Sequence, residues 1–297
     1  MRKRAVGMAV LTTILWAGSY ILNKLAFEGG IGPLTLSGLR YLLASLILFA
    51  AGAGGGAKRG GARLEFRYVV LLGILGYAVA QGLQYMGQSR LTPTQSSLFL
   101  SVGNTTLVML VDRLWLRENQ TARDLAKLLV LVGGIALYYY PWGAGALSLA
   151  GLAFMLLSSV GYALNMTINR RLLTSRGTGA RELVAKPMLF GACVLVVAGL
   201  IVEGLPTVTV RLLLILAYLS GVSGALGFFL WTKSQATLTA FESSAINNLM
   251  LIEIALMDFI AFRRALSAAQ IAAILVIFSV ILSIQRRPGK GSKKDAE

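Results

Sequence analysis

The sequence predicts an all-α membrane protein with ten transmembrane helices, arranged as an inverted repeat of five plus five helices. Of its 297 residues, 56% are hydrophobic and 13% are charged, whereas roughly a quarter of the residues in a soluble domain are charged. The apolar residues form blocks of about twenty, the length at which an α-helix crosses the hydrocarbon core of a bilayer. A shift of 146 residues, which places Asn23 on Asn169, also aligns the first half of the chain with the second.

The composition excludes several other classes of protein. A transmembrane barrel is excluded because its strands would alternate in polarity over about ten residues. The formal net charge of +16 does not indicate a nucleic-acid partner, since Lys and Arg lie between the apolar blocks, where they orient helices in the lipid bilayer. A single cysteine, Cys193, permits no internal disulfide, and the absence of histidine removes the Ser-His-Asp triad and His-metal sites. We therefore expect no enzymatic activity, no metal and no cofactor.

The first apolar block illustrates the pattern. Residues 8–23 carry no charge and lie between a basic N-terminus and Lys24. At ~1.5 Å of rise per residue, residues 5–27 cover the ~30 Å hydrocarbon core. The segment resembles a signal peptide, but its apolar run is long and no small-residue cleavage site follows. We therefore expect an uncleaved first helix.

Nine further apolar blocks follow, separated by turns rich in Gly and Pro or by basic loops. They cover residues 34–53, 68–89, 94–111, 124–140, 147–168, 182–201, 212–231, 240–262 and 267–284. The expected units are a first repeat at 1–145, a second repeat at 146–285 and a basic cytoplasmic tail at 286–297.

The distribution of Lys and Arg predicts the orientation in the membrane. If the N-terminus lies inside, the inner segments hold 21 Lys and Arg residues and the outer segments hold five. Basic residues accumulate on the cytoplasmic side of membrane proteins. We therefore expect a multi-pass protein of the cytoplasmic membrane with both termini in the cytoplasm.

The internal repeat carries charged as well as apolar residues. Under the shift of 146 residues, Arg40 falls on Lys186 and Asp112 falls on Asp258. A repeat unit with an odd number of spans places its second copy upside down in the membrane. Inverted repeats of this kind build transporters whose substrate site lies at the repeat interface near mid-membrane.

The chain also resembles a known family. The run LTTILWAGSYILNKLAFEGGIGPLTLSGLRYLLASLIL, the block ending LWLRENQT and the ten spans in two halves resemble the drug/metabolite transporter superfamily, EamA-like branch. The most specific matches are Trp16 with Lys24, the step Leu39-Arg40-Tyr41, and Glu118 after the fourth span.

The resemblance has departures and implications. Arg263-Arg264 stands where the family usually has Gly-Glu, and the proline common early in spans four and nine is absent, with Thr105 and Leu251 nearby. The resemblance implies a central cavity lined mainly by spans 1, 3, 4, 6, 8 and 9, and export or exchange of small metabolites. It does not imply one substrate, since members carry amino acids, sugar conjugates, nucleotides and drugs.

Polar and aromatic side chains at helical spacing within the spans are the candidate substrate-binding residues. A buried amide costs several kcal/mol if it is unpaired, so these side chains face protein or a wet cavity. The alternative is hydrogen bonding between helices without substrate, worth under ~1 kcal/mol for each bond. The candidates are Trp16, Ser19, Tyr20, Asn23, Tyr77, Gln81, Gln84, Asn104, Tyr162, Asn165, Asn169, Trp231 and Asn247.

Glu253 is the most unusual residue of the spans. It lies near the centre of the ninth span, with Glu242 eleven residues earlier on the same face. A carboxylate at this depth is costly and by default indicates function. It could bind a coupling proton or a cationic group of the substrate. The alternative is a neutral carboxylic acid that donates one hydrogen bond between helices.

Four charged residues could form two ion pairs related by the repeat. Arg40 and Asp258 both lie in the outer part of the membrane, whereas Lys186 and Asp112 both lie near its inner boundary. Charges in membranes pair or reach water, so Arg40 with Asp258 and Lys186 with Asp112 are candidate gates at opposite faces. The alternative is that each charge extends to the headgroups.

These observations predict a secondary transporter, an exporter or exchanger, of small polar or amphipathic metabolites, with amino acids or their derivatives as the first candidates. One alternative is extrusion of organic cations and drugs through Glu253. Another is a membrane interaction or lipid-handling subunit without a transport cycle. The expected partners are a small-molecule substrate and the lipid bilayer, with the proton as the candidate coupling ion.

Overall fold

The computed structural model describes residues 2–53, 64–116, 122–140, 148–176, 180–235, 238 and 240–285. All regular elements in these ranges are helices. In chain order they are α1 Arg2–Glu28, α2 Pro33–Ala53, α3 Phe66–Arg90, α4 Pro93–Leu116, α5 Ala122–Tyr138, α6 Leu149–Arg176, α7 Ala180–Val202, α8 210–235, α9 Ala240–Phe262 and α10 Ala268–Gln285. The helices start and end within a few residues of the predicted spans, except that α6 extends eight residues further.

Several of these helices have the apolar surface that a bilayer requires. Five of them, α1, α2, α3, α6 and α7, are long and apolar enough to cross a membrane, and shorter apolar stretches lie in α5, α8 and α10. Large aliphatic side chains such as Ile201, Leu214 and Leu129 are more than half exposed. Such exposure suits a lipid environment, in which apolar side chains need no cover. The chain is an α-helical membrane protein.

Local signals in the sequence account for the helix ends. Pro33 and Pro93 open α2 and α4, where a missing backbone N–H costs nothing. Gly30, just after α1, has φ +89°, a conformation that glycine adopts without strain. Thr92 and Gln95 exchange side chain-to-backbone hydrogen bonds of 3.0 and 3.1 Å, a capping box that sets the start of α4.

Helices α3 and α8 share an irregularity. Each is interrupted by a π-helical segment, Gly73–Gly82 in α3 and Tyr218–Leu226 in α8. Such segments widen the helix, change the direction of the side chains and occur frequently at functional sites. The middle of α3 and the middle of α8 are therefore candidate parts of a functional site.

Helix packing crosses between the two halves of the chain. Helix α1 packs against α8 and α9, α2 against α7 and α8, α3 against α6 and α7, α4 against α6 and α9, and α5 against α10. Small residues allow the closest approach, as expected in membranes. A Cβ at Gly38 of α2 would lie 2.7 Å from the backbone nitrogen of Val196, and one at Gly199 of α7 would lie 2.7 Å from that of Thr35.

Glu203, just after α7, fixes the start of α2. Its carboxylate accepts hydrogen bonds from the backbone N–H of Leu34 at 2.9 Å and of Thr35 at 2.8 Å, and from the Thr35 hydroxyl at 2.8 Å. The first N–H groups of a helix have no partner within the helix, and they carry a partial positive charge. The carboxylate therefore joins the ends of two helices from different halves of the chain.

We predict that Glu203→Ala lowers the stability of the purified protein by ~1–2 kcal/mol, the usual cost of losing a helix cap. Thermal unfolding in detergent micelles measures the loss. Glu28→Ala is the matched control, because Glu28 is an exposed carboxylate at the end of α1. Equal unfolding temperatures for the two variants would contradict the capping role.

Candidate functional site

Four helices bring polar and aromatic side chains together in the interior, and Ser223 lies at their junction. Ser223 is fully buried in the π-helical segment of α8. Its carbonyl oxygen accepts a hydrogen bond of 3.0 Å from the indole Nε1 of Trp16 in α1. Its hydroxyl accepts one of 3.0 Å from the guanidinium of Arg40 in α2. One residue of the second half thus holds two side chains of the first.

Arg40 is buried among neutral groups. It is 6% exposed, and it donates a second hydrogen bond to the hydroxyl of Tyr85. Its guanidinium carbon lies 5.3 Å from the centroid of the Tyr41 ring and 6.0 Å from that of Tyr85, within the range of cation–π attraction. Its Nε is sealed from solvent and has no acceptor. Among the described residues, the charge is therefore held by hydroxyls and aromatic faces and not by a carboxylate.

Most of the predicted residues of α1 and α3 join this cluster. The amide oxygen of Gln81 accepts from the hydroxyl of Tyr41 at 2.7 Å, and the amide nitrogen of Gln84 donates to the hydroxyl of Tyr20 at 3.3 Å. The side chain of Asn23 donates to that of Gln88 at 2.7 Å. The ring of Tyr77 lies 5.5 Å from the ring of Tyr41. Ser19 differs, because its hydroxyl donates to the Trp16 carbonyl in its own helix at 2.6 Å.

Trp16 also contacts the second half through an aromatic pair. Its ring centroid lies 5.2 Å from that of Trp231 in α8, with the planes tilted by 48°. Both side chains are half-buried. Tilted aromatic pairs at this distance attract one another beyond their simple burial. The predicted residues Trp16 and Trp231 are therefore brought together.

The predicted residues of α6 face α3 and α4. Asn165 packs so closely on Gly76 that a Cβ there would lie 2.7 Å from the amide. The amide oxygens of Asn104, Asn165 and Asn169 are buried without a hydrogen-bond partner. Tyr162 and Asn247 are half-buried. Unsatisfied amide oxygens in a membrane are costly, so the surroundings of α6 offer acceptors for water or a ligand.

Glu253 lies where α9 packs against α1. One carboxylate oxygen accepts a hydrogen bond of 3.1 Å from the Thr13 hydroxyl. The other oxygen is buried and has no partner. Thr13 is fully buried, one turn before Trp16 along α1, so Glu253 borders the cluster around Trp16.

The predicted ion pair between Arg40 and Asp258 does not form in this structure. Asp258 pairs with Arg264 at 3.2 Å, and one of its oxygens accepts from the backbone N–H of Thr94 at 3.1 Å and the Thr94 hydroxyl at 2.6 Å. The reason is helix packing, since α2 packs mainly against α7 and α8 whereas α9 packs mainly against α1 and α4. The start of α4 supplies the partial positive charge that Asp258 needs.

The second predicted pair is described only in part. The side chain of Asp112 lies outside the described residues, as do those of Glu118 and Glu242. Lys186 borders a cavity of about 400 Å³ between α3 and α7, away from the cluster around Ser223. The cavity is lined by Leu64, Phe66, Val69, Lys186, Leu189, Phe190 and Cys193.

Sequence reasoning missed Ser223, Tyr85 and Thr13 as members of the cluster. Tyr85 lies on the polar face of α3 beside Gln84, which is a usable signal. Ser223 lies among glycines that indicate close packing, and its backbone carbonyl has no signature in the sequence. Only the π-helical geometry of α8 directs it toward Trp16.

We predict that Tyr85→Phe destabilises the protein by ~1.5–3 kcal/mol, because it removes a hydrogen-bond partner from a buried charge. Tyr218→Phe is the matched comparison, since the Tyr218 hydroxyl donates to the neutral carbonyl of Leu15 at 3.1 Å. Its expected cost is ~0.5–1.5 kcal/mol. Unfolding in detergent measures both, and an equal loss in the two variants would contradict the special status of the Arg40 contact.

Known proteins with similar sequences are transporters. A protein named S-adenosylmethionine/S-adenosylhomocysteine transporter from Chlamydia trachomatis serovar L2 (strain ATCC VR-902B / DSM 19102 / 434/Bu) is 27% identical over 180 residues, which cover 56% of this chain and 54% of the relative. A protein of the same name from serovar D (strain ATCC VR-885 / DSM 19411 / UW-3/Cx) is 26% identical over the same shares. The chain thus spans about half the length of the curated relatives it matches.

The fold and the family are matched over almost the whole chain. A protein of known crystal structure superposes with a TM-score of 0.65 at 17% identity, covering 97% of this chain and all of that one. At this identity the likeness concerns the fold. The model of the EamA-like transporter family matches residues 3–140 and 149–285. The resemblance predicted from the sequence is confirmed, and the chain belongs to the EamA-like transporter family, a family of transporters rather than enzymes.

Proposed function

We propose that the chain is a secondary transporter of small polar or amphipathic metabolites, with amino-acid derivatives as its substrates. The observation that carries the proposal is the cluster around Ser223, where Trp16 and Arg40 of the first half bond to α8 of the second. A substrate site at the interface of two halves is the arrangement that transport by alternating access requires. Movement of one half against the other would open the cluster to either side.

The proposed architecture is an inverted repeat of five plus five spans. Support comes from the helix contacts. If each of α1–α5 is exchanged with the helix five places later in the chain, contacts of the first half become contacts of the second. The contact of α1 with α9 corresponds to that of α6 with α4, and the contact of α1 with α8 to that of α6 with α3. The π-helical segments correspond as well, since 73–82 shifted by 146 residues gives 219–228, close to the segment 218–226.

The orientation belongs to the same proposal. The 21 Lys and Arg residues on the side of the N-terminus, against five on the other, support cytoplasmic termini in the cytoplasmic membrane. The cap of Glu203 on α2 and the ion pair of Asp258 with Arg264 then lie at the outer face. The cap joins the end of α7 to α2, and Asp258 also joins α9 to the start of α4 through Thr94, which supports a state closed toward the outside.

Two features support amino-acid derivatives as substrates. The relatives from Chlamydia trachomatis are named for S-adenosylmethionine and S-adenosylhomocysteine, both of which are derivatives of amino acids. The half-buried pair of Trp16 and Trp231 offers aromatic faces on which a planar base or an aromatic side chain can pack.

Extrusion of organic cations is the second candidate function. One oxygen of Glu253 favours it, because this oxygen is buried and has no positive partner among the described residues, so it attracts a cation. The net charge of the compounds that the protein transports best distinguishes transport of amino-acid derivatives from extrusion of organic cations.

Transport into proteoliposomes tests the proposal. Purified protein should give saturable uptake of radiolabelled S-adenosylmethionine, S-adenosylhomocysteine or an amino acid, and unlabelled substrate inside should accelerate it. Liposomes without protein are the control, and Trp16→Ala should lower uptake at least tenfold. Uptake that rises linearly with concentration for every compound would contradict a transporter.

Glu253 is proposed to carry the coupling proton or a cationic group. The charged side chains on α9 and the helices packed against it lie near helix ends, so Glu253 is central. They are Arg2, Lys3, Arg4, Lys24 and Glu28 of α1, Asp112 and Arg113 of α4, Arg211 and Lys233 of α8, and Glu242 and Asp258 of α9, with Arg263 and Arg264 just beyond it.

We predict that Glu253→Gln abolishes the pH dependence of uptake while the protein still folds, because the amide cannot take up a proton. Uptake measured between pH 5 and 8 provides the comparison, with Glu28→Gln as a control of equal charge change at an exposed site. A wild-type pH profile in the variant would reduce Glu253 to a packing residue.

A further inference from the structure

We infer that the site around Ser223 binds a zwitterion, with Arg40 binding the carboxylate of the substrate and Glu253 binding its cationic group. The inference rests on the proposed function and names the class of substrate. It replaces the predicted role of Arg40 as a gate. It depends on buried Arg40 and half-buried Glu253, which have opposite charges and no ionic partner among the residues that the structure describes.

The environment of Arg40 is incomplete for a charged group. Its hydrogen-bond partners are the Tyr85 and Ser223 hydroxyls, and its Nε has none. Moving a cation out of water costs several kcal/mol even after the structure relaxes, and neutral hydroxyls and ring faces offset only part of this cost. A carboxylate matches the planar fork of a guanidinium with two parallel hydrogen bonds. An anionic substrate group would therefore complete the site.

Glu253 lacks a hydrogen-bond donor for one of its carboxylate oxygens. The Thr13 hydroxyl is shared between one oxygen at 3.1 Å and the Val10 carbonyl at 2.8 Å, and the second oxygen is buried without a donor. Other buried or half-buried carboxylates of the described helices differ. Asp258 has Arg264 and the start of α4, and Glu203 has the start of α2. Glu253 therefore retains an acceptor for an ammonium or sulfonium group.

The two charges lie at the ends of one connected line of contacts. Arg40 bonds to the hydroxyl of Ser223, and Trp16 bonds to its carbonyl. Thr13, the partner of Glu253, precedes Trp16 by three residues, which is ~4.5 Å of helical rise. Ser223 and Trp16 thus link the two charged groups through contacts that join α1, α2, α8 and α9.

An amino-acid derivative carries both kinds of charged group that this arrangement would bind, a carboxylate for Arg40 and a cationic group for Glu253. Trp16 lies between the two charges, and its pair with Trp231 provides the aromatic face for the remainder of the molecule. A compound without the carboxylate would leave Arg40 unmatched, which a site built for a polar group rejects strongly.

Matched pairs of compounds test the inference. Uptake into proteoliposomes is compared for S-adenosylmethionine and decarboxylated S-adenosylmethionine, phenylalanine and phenethylamine, and arginine and agmatine. For at least one pair, the wild-type protein should prefer the carboxylated member at least tenfold in kcat/KM. In Arg40→Gln, the ratio of kcat/KM for the carboxylated compound to kcat/KM for its decarboxylated partner should fall close to one. Uptake of the decarboxylated compound should persist.

Two further variants keep the test decisive. Arg90→Gln is the matched control, because Arg90 is exposed and donates to the Met86 carbonyl of its own helix at 3.0 Å, so its ratio should equal that of the wild type. If Arg40→Gln fails to fold, Arg40→Lys serves instead. Lysine keeps the charge but loses the fork, and it should reduce the ratio at least threefold.

Each outcome decides between the inference and the proposed function. Saturable uptake without preference for the carboxylated compounds overturns the inference and leaves a transporter of cations or neutral metabolites. An unchanged ratio in folded Arg40→Gln, or in Arg40→Lys where that variant replaces it, also overturns the inference. If none of the six compounds shows saturable uptake, the transport of amino-acid derivatives fails and the inference fails with it.

Discussion

A buried guanidinium without a carboxylate partner is the constraint on which the interior of this protein depends. Arg40 must be held in place by hydroxyls and aromatic rings, so α3 supplies Tyr85 and α8 supplies Ser223. Ser223 reaches both Arg40 and Trp16 because α8 is π-helical at this point. The contacts that stabilise this buried charge thereby connect α1, α2, α3 and α8 in a single polar network.

The starts of two helices are stabilised by carboxylates, because opposite charges attract there as well. Glu203 bonds to the start of α2, and Asp258 bonds to the start of α4. In each case a carboxylate meets N–H groups that a helix cannot satisfy internally. Asp258 therefore contacts Thr94 and Arg264 rather than Arg40.

The loop after α9 contains backbone strain. Arg263 has φ 54°, a left-handed conformation that glycine adopts more easily. This conformation explains why the family usually has glycine at the position of Arg263.

Much of the fold followed from periodicity and composition, whereas the partners of polar residues did not. The helix bounds were predicted closely, because block length and glycine or proline turns are local signals. The stripe residues Trp16, Tyr20, Gln81 and Gln84 do face other helices. Depth along the membrane, however, does not identify a neighbour. Arg40 and Asp258 were predicted to share a depth, and yet they lie on helices that pack mainly against different partners.

The sequence by itself determined that the chain is a helical membrane protein, that it belongs to its transporter family, and which side chains are too polar for lipid. These properties depend on residue type and on spacing along one helix. The tertiary structure decided which helices meet, that Ser223 joins Arg40 to Trp16, and that Glu253 keeps a free oxygen beside Thr13. Those contacts join residues up to 240 positions apart, and no local pattern encodes them.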